Sequence, residues 1–219
     1  MRLIRCGHAC IRLERDGVVI VIDPGVFSDP RALEGADAVL VTHEHEDHFA
    51  EPVLRAAAEA EPALRIRADR SVADRLDGLG AGRVTVVGDG DAFDIGGIGV
   101  EVHGELHAPT HPDFPQVTNV GFLVGNTETG GTVFHPGDAF TVPTRPVDTL
   151  LVPVHGPWSK TGEVVDYVRE IKPRRALSIH DAGLSEVGNS LVDGLLKAGV
   201  RDFATGYESV AVGTGIELT

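Results

Sequence analysis

Three histidines, one aspartate and two glutamates fill the six positions His43–His48, in the order HEHEDH. His43 and His45 are two apart, and in an extended segment side chains i and i+2 leave the backbone on the same side. Both imidazoles can therefore reach one cation. Asp47 and His48 follow where the chain turns toward Pro52, a residue suited to the first turn of a helix. The backbone rotates there, so the second pair aims at a different point. The spacing points to two adjacent divalent metals. Imidazole and carboxylate ligands suit Zn2+ first, with Mn2+ and Fe2+ as alternatives. The bland reading is a solvated polar loop, which would suffice for a lone histidine but fits poorly with four such residues at this spacing.

Strands and helices must hold that loop in place. Segments 10–15 (CIRLER) and 18–22 (VVIVI) flank Asp16-Gly17, a hairpin signal. Segment 38–42 (AVLVT) reads as a buried strand ending in the histidine cluster, and 53–60 as the helix after it. Further strands are expected at 64–68, 83–87, 98–107, 118–124, 132–135, 149–154, 175–179 and 209–212. A helix is expected over 161–172, with Val164, Val165, Val168 and Ile171 as its apolar stripe and Pro173 as its stop. Another is expected over 189–198, with Asn189 as N-cap, a buried stripe of Leu191, Val192, Leu195 and Leu196, and Gly199 as C-cap. No exposed apolar stripe suggests an interface. No linker separates the halves, so one layered α/β domain over 1–219 is expected, with sheets inside and helices outside. His43, His107, His155 and His180 each follow an expected strand, so their ends can converge on one rim.

Bulk composition narrows the function classes. The chain of 219 residues carries a formal net charge of −14, which repels a phosphate backbone and disfavours general nucleic-acid binding. No apolar run approaches a membrane span, and the charged N-terminus does not read as a signal peptide. Cys6 and Cys10 are too few for a disulfide scaffold and read as reduced thiols of a cytoplasmic protein.

The segment THEHEDH resembles the HxHxDH signature of the metallo-β-lactamase superfamily. VVIVIDPG (18–25), GELHAPTH (104–111), FHPGDAF (134–140) and ALSIHDA (176–182) resemble that family's later motifs in the same order. GHA at residues 7–9 and the compact length are most similar to the ascorbate-phosphate-lactonase-like branch of metal-dependent hydrolases. The resemblance implies a four-layer αββα sandwich: two mixed β-sheets with helices on the outer faces. It implies that His43, His45 and His107 bind one metal, that Asp47, His48 and His180 bind the other, and that Asp138 bridges both. His111 and His103 compete with His107, and His103 reads better as an ordinary strand residue. Asp23 resembles a carboxylate that orients a ligand imidazole. His155 is the best candidate for substrate contact, with a satisfied core or rim histidine as the bland reading, and either it or a metal-bound water is the candidate for protonating the leaving group. His8 and His135 read as satisfied core or rim histidines, Trp158 as a pocket wall or core residue, and Lys160 as a surface lysine.

Two divalent cations about 3.5–4 Å apart lower the pKa of a shared water from 15.7 toward 7. The expected chemistry is hydrolysis of an ester, lactone or phosphodiester in a small substrate, anionic ones included, with a metal-bridging hydroxide as nucleophile and Asp47 orienting it. True β-lactamases of the family generally lack the bridging aspartate, so Asp138 argues against antibiotic hydrolysis. The di-iron redox branch resembles HxExD, and His45 stands in the glutamate's place. A catalytically silent metal-binding protein and an iron redox enzyme are the alternatives, and self-association is a further expectation.

Overall fold

Asp16 and Gly17 both take positive φ, 51° and 83°, as a two-residue hairpin turn that matches strand twist requires. This turn joins β2 (Cys10–Arg15) to β3 (Val18–Ile22), and β1 (Arg2–Gly7) pairs antiparallel on the far side of β2. The computed structural model describes residues 1–126, 130–203 and 206–218. The chain then runs through β4 (Ala38–Val41), α1 (Glu51–Ala60), β5 (Arg65–Ala68), α2 (Arg70–Arg75) and β6 (Val84–Val86), with β3 to β6 parallel. A second sheet begins with the antiparallel run β7 (Ala92–Ile95), β8 (Ile98–His103), β9 (Gly121–Asn126) and β10 (Gly130–His135). It continues parallel through β11 (Thr149–Pro153), α3 (Thr161–Ile171), β12 (Arg175–Ile179), α4 (Glu186–Val200) and β13 (Gly206–Glu208). The last strand, β14 (Gly215–Glu217), returns to the first sheet beside β1.

Strand alternation assigns the layers. Ala38 and Leu40 face a core between the sheets, against Val102, Phe122, Leu151 and Ile179 of the second sheet. Val39 and Val41 face the opposite way, onto Leu54 and Ala58 of α1 and Val72 of α2. On the far side, Leu150 and Val152 pack under Val164 and Val168 of α3 and Leu196 and Val200 of α4. Two sheets buried on both faces, with helices outside, form the expected four-layer αββα sandwich.

The C-terminal third departs from expectation. The last long helix begins at Glu186, three residues before Asn189, because Ser185 is its N-cap and accepts from the Gly188 N–H at 3.2 Å. Gly199 lies inside the helix, with its Cα packed toward Val165, rather than capping it. Leu191 and Leu195 are 63% and 49% exposed and align with the exposed Val187, so the buried stripe is only Val192, Leu196 and Val200. These leucines therefore do form an exposed apolar stripe. Residues 209–212 form no strand; short strands flank them instead. The expected strand 98–107 ends at His103, and His107 lies on the loop beyond it.

Candidate metal centre

The chemically active residues gather where strands end. β1 and β3 both run antiparallel to β2, and β4 is parallel to β3. β8 and β10 both run antiparallel to β9, and β11 and β12 are parallel to β10. Within each sheet these strands point one way, so His8, Asp23, His43, Asp138, His155 and His180 follow C-terminal strand ends on one rim. Such rims are where open α/β sheets place ligands.

Backbone contacts shape the histidine loop. The N–H groups of His48 and Phe49 both bond to the His45 carbonyl, at 3.0 and 2.8 Å, turning the chain between the two halves of the motif. The Val26 N–H bonds to Glu46 O at 2.8 Å, and the Ala50 N–H to Pro24 O at 3.0 Å. At Gly25 a Cβ would sit 1.8 Å from the Asp47 carbonyl oxygen, so only glycine permits this approach. His8, Asp23 and His180 hold positive φ of 42°, 51° and 61° without being glycine, the kind of strain that collects at functional sites.

Two groups of ligand atoms result, each within 4.8 Å mutually: His43, His45, His107 and Asp138, and His8, Asp47, His48 and His180. Asp138 also reaches the second group, with Oδ1 3.1 Å from His48 Nε2 and Oδ2 3.0 Å from His180 Nε2. The far ring nitrogens are tied to protein. His48 Nδ1 donates to Asp23 Oδ2 at 2.6 Å, His107 Nδ1 to the Ala108 carbonyl at 2.6 Å, and His180 Nδ1 to the His155 carbonyl. His43 Nδ1 meets Thr42 Oγ1 at 3.0 Å, and that hydroxyl donates to Asp23 Oδ2 at 2.7 Å. What remains is the Nε2 atoms of His48, His107 and His180 and Oδ1 of Asp138, all buried and without a hydrogen-bond partner. Buried polar atoms are rarely left so. Lone pairs converging this way, with their tautomers fixed from behind, suit divalent cations.

The charge states agree. Burial opposes a proton on His180, but the adjacent carboxylates of Asp138 and then Asp47 prevail and push its pKa up to about 9. Burial likewise opposes charge on His48, and the carboxylates of Asp138 and Asp23 overcome it and hold its pKa well above the ordinary value. His43, buried and repelled by His48, is held well below. Burial would raise Asp138 and Asp47, yet their imidazole neighbours keep both carboxyls well below the usual range. Protons on His48 and His180 stand beside carboxylates where cations would.

Other residues singled out in the sequence sort clearly. Asp23 is fully buried and orients His48, as expected. His111 is exposed and faces Asp113 at 3.6 Å, so His107 is the one that joins the first group. His103 is a strand residue 3.6 Å from Glu101. His135 is a satisfied core histidine, its Nε2 donating to Ala9 O at 2.8 Å and its Nδ1 accepting from the Gly137 N–H at 3.1 Å. The His155 ring is exposed and in neither group, and only its carbonyl reaches the centre. Trp158 is buried and donates from Nε1 to Asp138 Oδ2 at 2.9 Å, while Lys160 is exposed beside Glu163. Sequence reasoning missed Asn119, whose side chain accepts from the Asp138 N–H and donates to Pro136 O, both at 2.9 Å. It also undervalued His8, which the strand-end rule would have flagged.

A cleft of about 360 Å³ opens beside the first group, between His45 and His107 and the loop carrying Pro109, His111, Phe114 and Gln116. Its lining holds no lysine or arginine among the described residues. Also among the described residues, no helix is long and apolar enough to cross a membrane.

Residues 2–180 match the model of the beta-lactamase superfamily domain. The chain is 36% identical to the protein Rv0786c of Mycobacterium tuberculosis over 183 residues, covering 83% of this chain and 84% of that one. It is 31% identical to a UPF0173 metal-dependent hydrolase of Methylocella silvestris, covering 63% of this chain and 62% of the relative. Among solved structures, the fold is similar to the metallo hydrolase Igni18 of Ignicoccus hospitalis, with TM-score 0.74, 17% identity, and coverage of 100% and 99%. It is also similar to CmlA, a diiron β-hydroxylase of Streptomyces venezuelae, with TM-score 0.72, 16% identity, and coverage of 99% of this chain and 54% of that one.

Proposed function

The chain belongs to the metallo-β-lactamase superfamily, and from that premise we propose that it is a dinuclear metal-dependent hydrolase of ester, lactone or phosphodiester bonds. One observation carries the reading: partnerless buried Nε2 atoms of His48, His107 and His180 converge with Asp138 Oδ1, while each Nδ1 is fixed by the protein. His43, His45 and His107 would hold one cation, Asp47, His48 and His180 the other, and Asp138 would serve both. Cations there would supply a hydroxide at neutral pH and neutralise charge developing on the scissile group. Zn2+ is the preferred metal, with Mn2+ and Fe2+ as alternatives.

The protein's own groups would do the rest. Asp47, with its carboxyl held ionised, would orient the nucleophile. His155 is assigned to proton donation, supported by its exposed position on the same rim. Because the cleft lining carries no lysine or arginine among the described residues, binding of an anionic group would depend on the cations themselves. This favours a small uncharged ester or lactone over a phosphodiester.

CmlA shares the fold, so architecture alone does not separate hydrolysis from iron redox chemistry. His45, which occupies the first group where the redox pattern has glutamate, favours hydrolysis over the iron redox alternative. The complete ligand set argues against a silent metal-binding protein. Free, buried Cys6 and Cys10 support a cytoplasmic setting. Self-association is a further expectation, to be checked by sedimentation.

The test is a panel of lactone, carboxylic ester, thioester, phosphodiester and β-lactam substrates. Protein reconstituted separately with Zn2+, Mn2+ and Fe2+ would be assayed on each. Hydrolysis of a lactone or ester, lost on chelation and in Asp47→Asn, is expected. A two-metal protein inert on every member would overturn the reading.

A further inference from the structure

His8 lies among the atoms of the second group, within 4.8 Å of Asp47, His48 and His180, and by proximity alone would count as a ligand. Its hydrogen bonds say otherwise. The Ala182 N–H donates to His8 Nδ1 at 3.2 Å. A nitrogen that accepts carries no proton, so in the neutral ring the proton is on Nε2. That Nε2 faces Asp47 Oδ2 at 3.2 Å and is therefore the donor. This is the reverse of His48, His107 and His180, whose Nδ1 atoms donate to the protein and whose Nε2 atoms have no hydrogen-bond partner. His8 has no lone pair to offer a cation on the side that faces the group.

The ring is also held in place. The His8 carbonyl accepts the His180 N–H at 3.0 Å, and its side chain is 4% exposed. Phe27 meets the ring edge to face at 5.5 Å, and the His180 ring lies 4.0 Å away. One residue thus binds the backbone of the segment carrying His180, through its carbonyl and Nδ1, and the side chain of Asp47 through Nε2.

We propose that His8 is a positioning residue for the second metal site: its Nε2–H holds one oxygen of Asp47 so that the carboxylate meets the cation in a fixed orientation. The proposal rests on the reading of the site given above. It differs from that reading by assigning His8 a donor's role and no bond to metal.

Long-range 1H–15N NMR of histidine-labelled protein reads the tautomer directly, before and after zinc saturation. The expected result is an Nε2-protonated His8 in both states. Zinc titration against a chromophoric chelator then compares the parent with His8→Ala and His8→Gln. Glutamine can place an N–H donor near the Nε2 position, and both variants carry the same backbone strain. His8→Ala should keep its zinc stoichiometry but bind the weaker-held ion on the order of tenfold less tightly, and His8→Gln should recover most of that loss. Loss of the His8 Nε2 proton on zinc loading, with one zinc fewer in His8→Ala, would make His8 a ligand and overturn the proposal alone. Unchanged zinc affinity in His8→Ala would also overturn it. Failure of the parent chain to take up zinc would overturn the site reading, and this proposal with it.

Discussion

Asp138 shows how much one carboxylate depends on its neighbours. Its Oδ1 faces His48 and its Oδ2 lies between His107, at 3.4 Å, and His180, at 3.0 Å. Two side chains hold it there: the Trp158 indole donates to Oδ2, and Asn119 accepts the Asp138 backbone N–H while donating to the Pro136 carbonyl. Hydrogen bonds behind a ligand fix its orientation and typically alter metal affinity 10–100-fold when removed. Trp158→Phe deletes the indole N–H but keeps a ring to pack against Phe140, whose centroid lies 5.2 Å away. The variant should fold with little change in melting temperature and bind zinc about tenfold more weakly. Competition with a chromophoric chelator measures this, and equal affinity would show that the indole only fills space. Trp158 is the single tryptophan and lies 5.8 Å from the His107 ring, so its fluorescence should also report metal binding in the parent.

At the scale of elements, the site depends on how closely the β3–Pro24–Gly25 segment approaches the histidine loop. A methyl group at Gly25 would overlap the Asp47 carbonyl carbon and oxygen and the His48 nitrogen, all within 2.5 Å. These are backbone atoms, so the loop itself must move. Gly25→Ala should therefore retain the two-sheet fold by circular dichroism yet lose stoichiometric metal, as read by elemental analysis. Full metal content in a folded Gly25→Ala protein would contradict this account. Such packing between distant loops is what the sequence could not express. Strands showed through because β3, β4, β11 and β12 are buried on both faces and read as apolar runs. The HxHxDH spacing and His180 stood out because each follows such a run, and Asp138 because FHPGDAF resembles a motif of the family. Asn119 and Thr42 did not, since the role of each arises only when neighbouring strands pair: Thr42 then meets Asp23 beyond β3, and Asn119 meets the segment beyond β10. Leu191 and Leu195 misled because both faces of α4 carry apolar residues, and periodicity alone cannot say which face is covered.

Across the whole molecule, the charge on the metal-free centre couples to folding. The His180 pKa is about 9 in the folded chain, against an ordinary value of about 6.5 when unfolded. The folded state binds this proton more tightly, so its stabilising contribution is fully present below about pH 6.5. It is lost as pH rises through 9. His48, also raised, acts in the same direction. The acidic surface, net −14, adds general repulsion with the same sign. A cation binds neutral imidazole and so displaces these protons, which makes metal affinity rise with pH over this window. Calorimetric melting between pH 6 and 10 should therefore show metal-free protein losing stability with pH. Zinc-loaded protein should hold its melting temperature better, so that the gap between the two forms widens. His180→Gln separates the local effect from the global one: its metal-free melting curve should fall less steeply, because only surface repulsion and His48 remain to drive it. A metal-free parent whose stability rises from pH 6.5 to 9, or a His180→Gln slope equal to the parent's, would mean that the buried carboxylates do not hold this proton.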